Sequence, residues 1–163
     1  MGSLIRVDLE FQKGTRTTRA RGIVDTGAEG FAFVDNSLAF DLGLKQEGAP
    51  VPYVGVGGDT KLGFKSGIDR MTILDNPDCS LGRLNVLVGD MSRLSDIRVL
   101  VGEDFLKSVG ATLELTEAGV SIACQKGVKV PIAEKWPREV IVLAVGFGVA
   151  FVAVAGVFLL TRD

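Results

Sequence analysis

The chain has 163 residues, enough for one domain of ordinary size, and its 18 basic and 20 acidic side chains leave a net charge of -2. That balance, without a basic stripe, gives no case for a nucleic-acid partner. The chain contains no histidine, which excludes Ser-His and Cys-His nucleophile pairs and every His-based metal site. Chemistry must come from carboxylates, hydroxyls, lysine or a cofactor. Cys79 and Cys124 lie far apart in sequence and form no metal-type cluster. With nothing marking the domain as secreted, they are expected as buried thiols.

Ile5, Val7, Leu9 and Phe11 alternate with Arg6, Asp8 and Glu10, the period-two pattern of a half-buried strand. The same spaced charges are unlike a signal peptide. Residues 12–15 read as a turn, and residues 16–24 as the returning strand. Asp25-Thr26-Gly27-Ala28 follows directly. Gly27 permits a sharp turn and close backbone approach. Asp25 is thereby expected at the tip of a rigid strand–turn, where a catalytic carboxylate is usefully held. Asp, Thr and Gly are also ordinary turn residues, and the tripeptide alone fits a plain hairpin turn.

Residues 31–34 read as a short strand. Asp35, Asn36 and Ser37 offer caps for a helix over 38–42 that closes near Gly43. Residues 45–52, with two prolines, read as a loop. Residues 53–62 form a hairpin with Gly55, Val56, Gly57 and Gly58 at its tip. The glycines do not make a dinucleotide fingerprint, because the third is misplaced and no βαβ unit surrounds them. The alternatives are a mobile glycine-tipped hairpin and an ordinary connection. Strands are expected over 66–74 and 84–88, with a turn at 76–78 between them. After a polar connection over 91–96, residues 97–101 form a buried strand leading into Gly102. Glu103 and Asp104 suit the start of a short helix over 105–109, where the dipole favours negative charge. A last hairpin pairs 111–115 with 120–124. Many short strands and two small helices predict an all-β domain over residues 1–125.

Residues 140–160 carry no charge and no strongly polar side chain, and 14 of these 21 are Val, Ile, Leu or Phe. As a helix they span roughly 31 Å, the thickness of a bilayer's hydrocarbon core. A transmembrane helix is expected there. Trp136 stands at the interfacial position before it. Lys135 and Arg138 before the span outnumber Arg162 after it, a bias that favours a cytoplasmic domain. Small-residue pairs at Ala144/Gly148 and Gly146/Ala150 could let two helices approach. Residues 126–139 are the juxtamembrane linker.

Three segments, in order, resemble the retroviral-type (retropepsin-like) aspartic peptidases. Ile23-Val24-Asp25-Thr26-Gly27-Ala28 resembles their catalytic loop. Residues 53–62, with Val54, Gly55, Val56, Gly57 and Gly58 at the tip, resemble their flap. Leu100-Val101-Gly102-Glu103-Asp104-Phe105-Leu106 resembles the strand and short helix near their C-terminus. The resemblance covers about residues 3–125 and implies a small closed β-barrel. It further implies an aspartic endopeptidase with Asp25 as the catalytic residue, Thr26, Gly27 and Ala28 supporting the loop, and Gly102 structural beside it. No cofactor or metal is implied. Such chemistry needs two carboxylates sharing a proton. The chain has one Asp-Thr-Gly, so the resemblance implies a homodimer acting on a protein or peptide substrate. Where some viral members set a basic residue of the helix against an acidic residue of the loop, this chain has Glu103 and Glu29, which cannot pair. The alternative is a catalytically inactive dimeric peptide-binding module at the membrane. An actin-like nucleotide fold would need two domains and roughly twice the length.

Overall fold

The computed structural model describes residues 5–55, 58–94, 96–116, 119–125 and 141–142. Strand β1 (Arg6–Lys13) turns at Gly14–Thr15 into β2 (Arg16–Val24), and the two pair antiparallel from Arg6↔Ile23 to Lys13↔Arg16. The period-two pattern of β1 is realised directly, with Val7, Leu9 and Phe11 buried. Strand β3 (Ala32–Asp35) leads into helix α1 (Asn36–Leu42). Asp35 caps α1 by accepting from the Ser37 amide, and Gly43 closes it in the left-handed conformation. Strands β4 (Glu47–Val54), β5 (Thr60–Ile73) and β6 (Asn76–Gly89) follow as a meander. A short 3₁₀ turn (Ser92–Leu94), strand β7 (Val99–Val101), helix α2 (Glu103–Ser108) and the hairpin β8 (Thr112–Thr116)–β9 (Gly119–Ala123) complete the domain.

Six strands close on themselves in the order β1-β2-β7-β3-β6-β5, with β5 returning to β1 through Leu9↔Ile73 to Gln12↔Arg70. Strand β7 is inserted parallel to β2 and antiparallel to β3. The barrel is filled by side chains such as Leu9, Phe11, Val34, Met71, Val86, Val99 and Phe105, each fully buried. Burying each of the larger ones contributes about 1.5–3 kcal/mol. The fold is therefore all-β, a closed six-stranded barrel with two short helices.

Several expectations are corrected. Strands β5 and β6 are far longer than 66–74 and 84–88, and they turn at Leu74–Asp75, before Asn76, rather than at 76–78. Polar residues along these arms lie on the outer face of the barrel, where a strand needs no apolar signal. Residues 47–52, expected as a loop, belong to β4. The prolines are tolerated because this strand lies outside the closed barrel, and its pairing with β5 slips between Glu47 and Val51. The cysteines are not thiols. Cys79 of β6 and Cys124, just past β9, form a disulfide with Cα atoms 5.2 Å apart. The barrel brings β9 against β6, and Asn76 Nδ2 donates to the Ile122 carbonyl at 3.1 Å beside the bridge. A separation of 45 residues conceals that proximity.

Among the described residues no helix is long and apolar enough to cross a membrane. The linker and the expected span lie outside the described residues, apart from Ile141 and Val142. These two form β10, parallel to Tyr53–Val54 of β4.

Candidate active site

The parallel pairing of β2 with β7, Gly22↔Val99 to Val24↔Val101, carries Asp25 to the end of a buried strand pair. The Asp25 amide donates to the Val101 carbonyl at 3.0 Å. The chain then turns tightly, with the Ala28 amide on the Asp25 carbonyl at 3.1 Å. Within this turn the Gly27 amide donates to Asp25 Oδ1 at 3.0 Å. The turn therefore fixes the carboxyl's orientation as well as its position. Asp25 Oδ2 is buried and has no hydrogen-bond partner among the described residues. Burial raises the Asp25 pKa above the usual carboxylate value, partly opposed by the Gly27 and Ala28 amides. Thr26 and Gly27 are exposed at the rim, whereas Ala28 is buried.

Gly102 locks this loop from below. Its amide donates to the Phe31 carbonyl at 3.0 Å. The next two amides, of Glu103 and Asp104, donate to the carbonyls of Ala28 and Gly30 at 3.0 and 3.1 Å. A Cβ on Gly102 would lie 2.2 Å from the Gly30 carbonyl oxygen, so only glycine lets the two backbones come this close. Asp25, Thr26, Gly27, Ala28 and Gly102 thus form one sutured unit. Glu103 pairs with Lys107 at 2.7 Å, one helical turn on, and Glu29 is exposed.

Val54, Gly55 and Gly58 occupy the arms of the β4–β5 hairpin; Val56 and Gly57 lie outside the described residues. Strand pairing ends at Val54↔Thr60. Beyond it the Gly55 amide donates to the Asp59 carbonyl at 3.0 Å, and the Gly58 amide to the Gly55 carbonyl at 2.9 Å. Gly58 has φ +80°, a value glycine adopts without strain. At the base of the hairpin, Tyr53 is fully buried and packs on Phe33 with ring centroids 4.9 Å apart. Tyr53 and Met91 share one apolar cluster with Ala28. The hairpin base and the Asp25 loop therefore rest on a common core.

The sequence reading gave Lys61 and Asp90 no role, took Asp35 only as a helix cap and Tyr53 only as the start of the hairpin; all four organise this region. The Asp90 amide donates to the Tyr53 hydroxyl at 2.8 Å, and the Met91 amide to Asp35 Oδ2 at 3.0 Å. A single tyrosine in 163 residues, at the start of a glycine-tipped hairpin, was the available signal. No group of three or more His, Cys, Asp or Glu side chains suited to a metal ion occurs among the described residues.

Fold and site together define a closed six-stranded barrel that presents one half-buried carboxyl, its pKa raised by burial, at a strand–turn. No protein-family model matches the chain, and no curated protein sequence matches it. Among solved structures, it is similar to the crystal structure of a retropepsin-like aspartic protease from Rickettsia conorii. The identity is 15%, the match covers 76% of this chain and 100% of that chain, and the TM-score is 0.46. A likeness at that level bears on no residue's role.

Proposed function

We propose that the chain is an aspartic endopeptidase whose site is completed by a second copy. The observation that carries this reading is the Asp25 carboxyl. One oxygen is oriented by the Gly27 amide, while the other is buried with no partner among the described residues. A buried polar oxygen without a partner costs about 1–3 kcal/mol. A second Asp25 across a two-fold axis would supply the missing hydrogen bond by sharing one proton. Two carboxyls so close cannot both ionise, so one stays protonated into the neutral range. The ionised member then takes a proton from water as it attacks the peptide carbonyl. The protonated member donates to the carbonyl oxygen. Thr26, exposed beside Asp25, is positioned to contact the other copy's loop. Val54, Gly55, Val56, Gly57 and Gly58 would cover a peptide lying in extended form.

Residues 140–160 would anchor the domain to a membrane. Ile141 and Val142 cannot both pair with β4 and begin a membrane helix. Fourteen residues contributing roughly -0.3 to -0.6 kcal/mol each to insertion outweigh a two-residue pairing worth about 1 kcal/mol per hydrogen bond. Confinement to two dimensions would raise the effective concentration of the copies.

The test is cleavage of a diverse peptide pool by the full chain in detergent between about pH 4 and 7, with Asp25→Asn beside it. Cuts present in wild type and absent from the variant support the proposal. A folded dimer that binds peptides without cutting them would make it a binding module instead.

A further inference from the structure

Among the described residues, the β4–β5 hairpin has few side chains near its tip to hold it by packing. Gly55 and Gly58, beyond the last pair Val54↔Thr60, carry none, and Leu62, paired with Pro52, is 71% exposed. Two ion pairs reach instead from this hairpin to the segment after β6. Lys61 Nζ lies 2.6 Å from Asp90 Oδ2, and Arg93 Nη2 lies 3.5 Å from Asp59 Oδ2. The Lys61 stem runs beside Gly55, with Cδ and Cε each 3.8 Å from where a Cβ on Gly55 would be.

The receiving segment is rigid. Its amide at Asp90 donates to buried Tyr53, and its amide at Met91 donates to Asp35. Asp90 Oδ1 accepts from the Ser92 amide at 2.9 Å, which aims the carboxylate. Met91 is 4% exposed and lies in the cluster that contains Ala28 of the catalytic loop. A pliant arm is thus held by charge to the block that carries Asp25.

We propose that Lys61 is a positioning residue: through Asp90, with Arg93–Asp59 in support, it sets the pose of the hairpin arms relative to the Asp25 loop. This rests on the endopeptidase reading only where it predicts kinetics. The pairs are partly exposed, with side-chain accessibilities of 31% and 39% for Lys61 and Asp90. Such pairs shift a conformational equilibrium by about two- to fivefold. That is enough to bias the arms while leaving them free to yield to a peptide. Hydrogen bonds from Lys61 and then Ser92 hold the Asp90 carboxyl well below the usual carboxylate range.

The experiment is amide hydrogen exchange on the full-length chain in detergent, read at Gly55 and Gly58, for wild type, Lys61→Met and Lys61→Arg. Methionine keeps an apolar stem of similar length and removes the charge. Exchange at these two amides is expected to rise about two- to fivefold in Lys61→Met and to return towards wild type in Lys61→Arg. Raising salt from about 0.05 to 0.5 M should accelerate exchange in wild type more than in Lys61→Met. Amides of the β5–β6 ladder should not change in either comparison. Equal exchange in wild type and Lys61→Met, or an equal salt response, would overturn the proposal. Because exchange needs no catalysis, absence of cleavage would defeat the endopeptidase reading and leave this result standing. If cleavage is found, Lys61→Met should raise KM by a similar factor with kcat nearly unchanged.

Discussion

Asp25 is the residue whose environment departs furthest from that of an ordinary turn aspartate. A turn aspartate is solvated, but here one oxygen is taken by the Gly27 amide and the other is buried. Replacing it with asparagine keeps an acceptor for Gly27 and removes the ionisable group. Cleavage should fall by about 10²–10⁴-fold or more, since the shared proton is lost. Stability should move the other way. The folded-state pKa of Asp25 is raised, chiefly by burial, so its favourable contribution is complete below the unfolded pKa and is lost as pH rises through the folded value. Asp25→Asn should therefore melt higher than wild type at pH 7, and the gain should vanish near pH 3. Equal melting temperatures at pH 7 would contradict the burial. Gly102→Ala tests the other face of the loop. A methyl group would meet the Gly30 carbonyl oxygen at 2.2 Å. Overpacking of that kind costs about 1–3 kcal/mol, and more where backbone must shift. Thermal unfolding should show the loss, and cleavage should fall beyond what the folded fraction explains.

The elements divide by how their signals are written. Strand β1 was legible because one face meets the core and the other meets water, so the alternation is clean, and β2 was legible as its return across the Gly14–Thr15 turn. Helix α1 was legible from Asp35 and Gly43, whose capping geometry is local chemistry. The site loop was legible for a related reason: Asp-Thr-Gly-Ala and Gly102 are backbone requirements expressed as residue types. The full extent of β5 and β6 was not legible, because residues 60–63 pair with β4 and residues 80–82 with β5, while Gly63, Pro77 and Gly82 interrupt any period-two pattern. The hairpin mooring was also hidden, since Lys61 and Asp90 are 29 residues apart and neither belongs to a motif. The disulfide belongs with these long-range features, and it has a consequence for one element. Hairpin β8–β9 is a separate two-stranded sheet. The bridge, Asn76 to Ile122, and the Gln125 amide to the Val109 carbonyl fasten it to the rest of the domain. Closing a loop of 45 residues stabilises the fold by about 4 kcal/mol in the chain-entropy account. Cys79→Ala with Cys124→Ala should lower stability by an amount of that order in denaturant unfolding. Amides of β8–β9 should lose protection before those of the barrel.

At the scale of the whole molecule, two features point in opposite directions. The charges flanking the apolar run, Lys135 and Arg138 before it against Arg162 after it, favour a cytoplasmic domain by a single residue. The Cys79–Cys124 bridge favours an oxidising compartment, because a reducing cytosol keeps thiols free. The bridge is the stronger argument. One flanking charge is a small bias, whereas the bridge contributes about 4 kcal/mol to a domain whose net stability is of the order of 5–15 kcal/mol. If residues 140–160 anchor the domain as proposed, it is therefore expected on the non-cytoplasmic side. Non-reducing electrophoresis of the membrane fraction, after trapping free thiols with a maleimide, distinguishes the two. An unlabelled chain whose mobility changes on reduction supports the oxidising side. Labelling at both Cys79 and Cys124 before reduction would put the domain in a reducing compartment and give the argument to the charges. The proposed anchor also bears on assembly. If each site needs two copies of Asp25, then the activity of full-length chain diluted in detergent should rise with the square of its concentration until the dimer saturates. Reconstitution into vesicles at the same total concentration should restore it, because two-dimensional confinement raises the encounter probability without any new contact. Activity strictly proportional to concentration down to the lowest measurable level, from a chain that light scattering finds monomeric, would rule out the shared carboxyl pair and with it this route to catalysis.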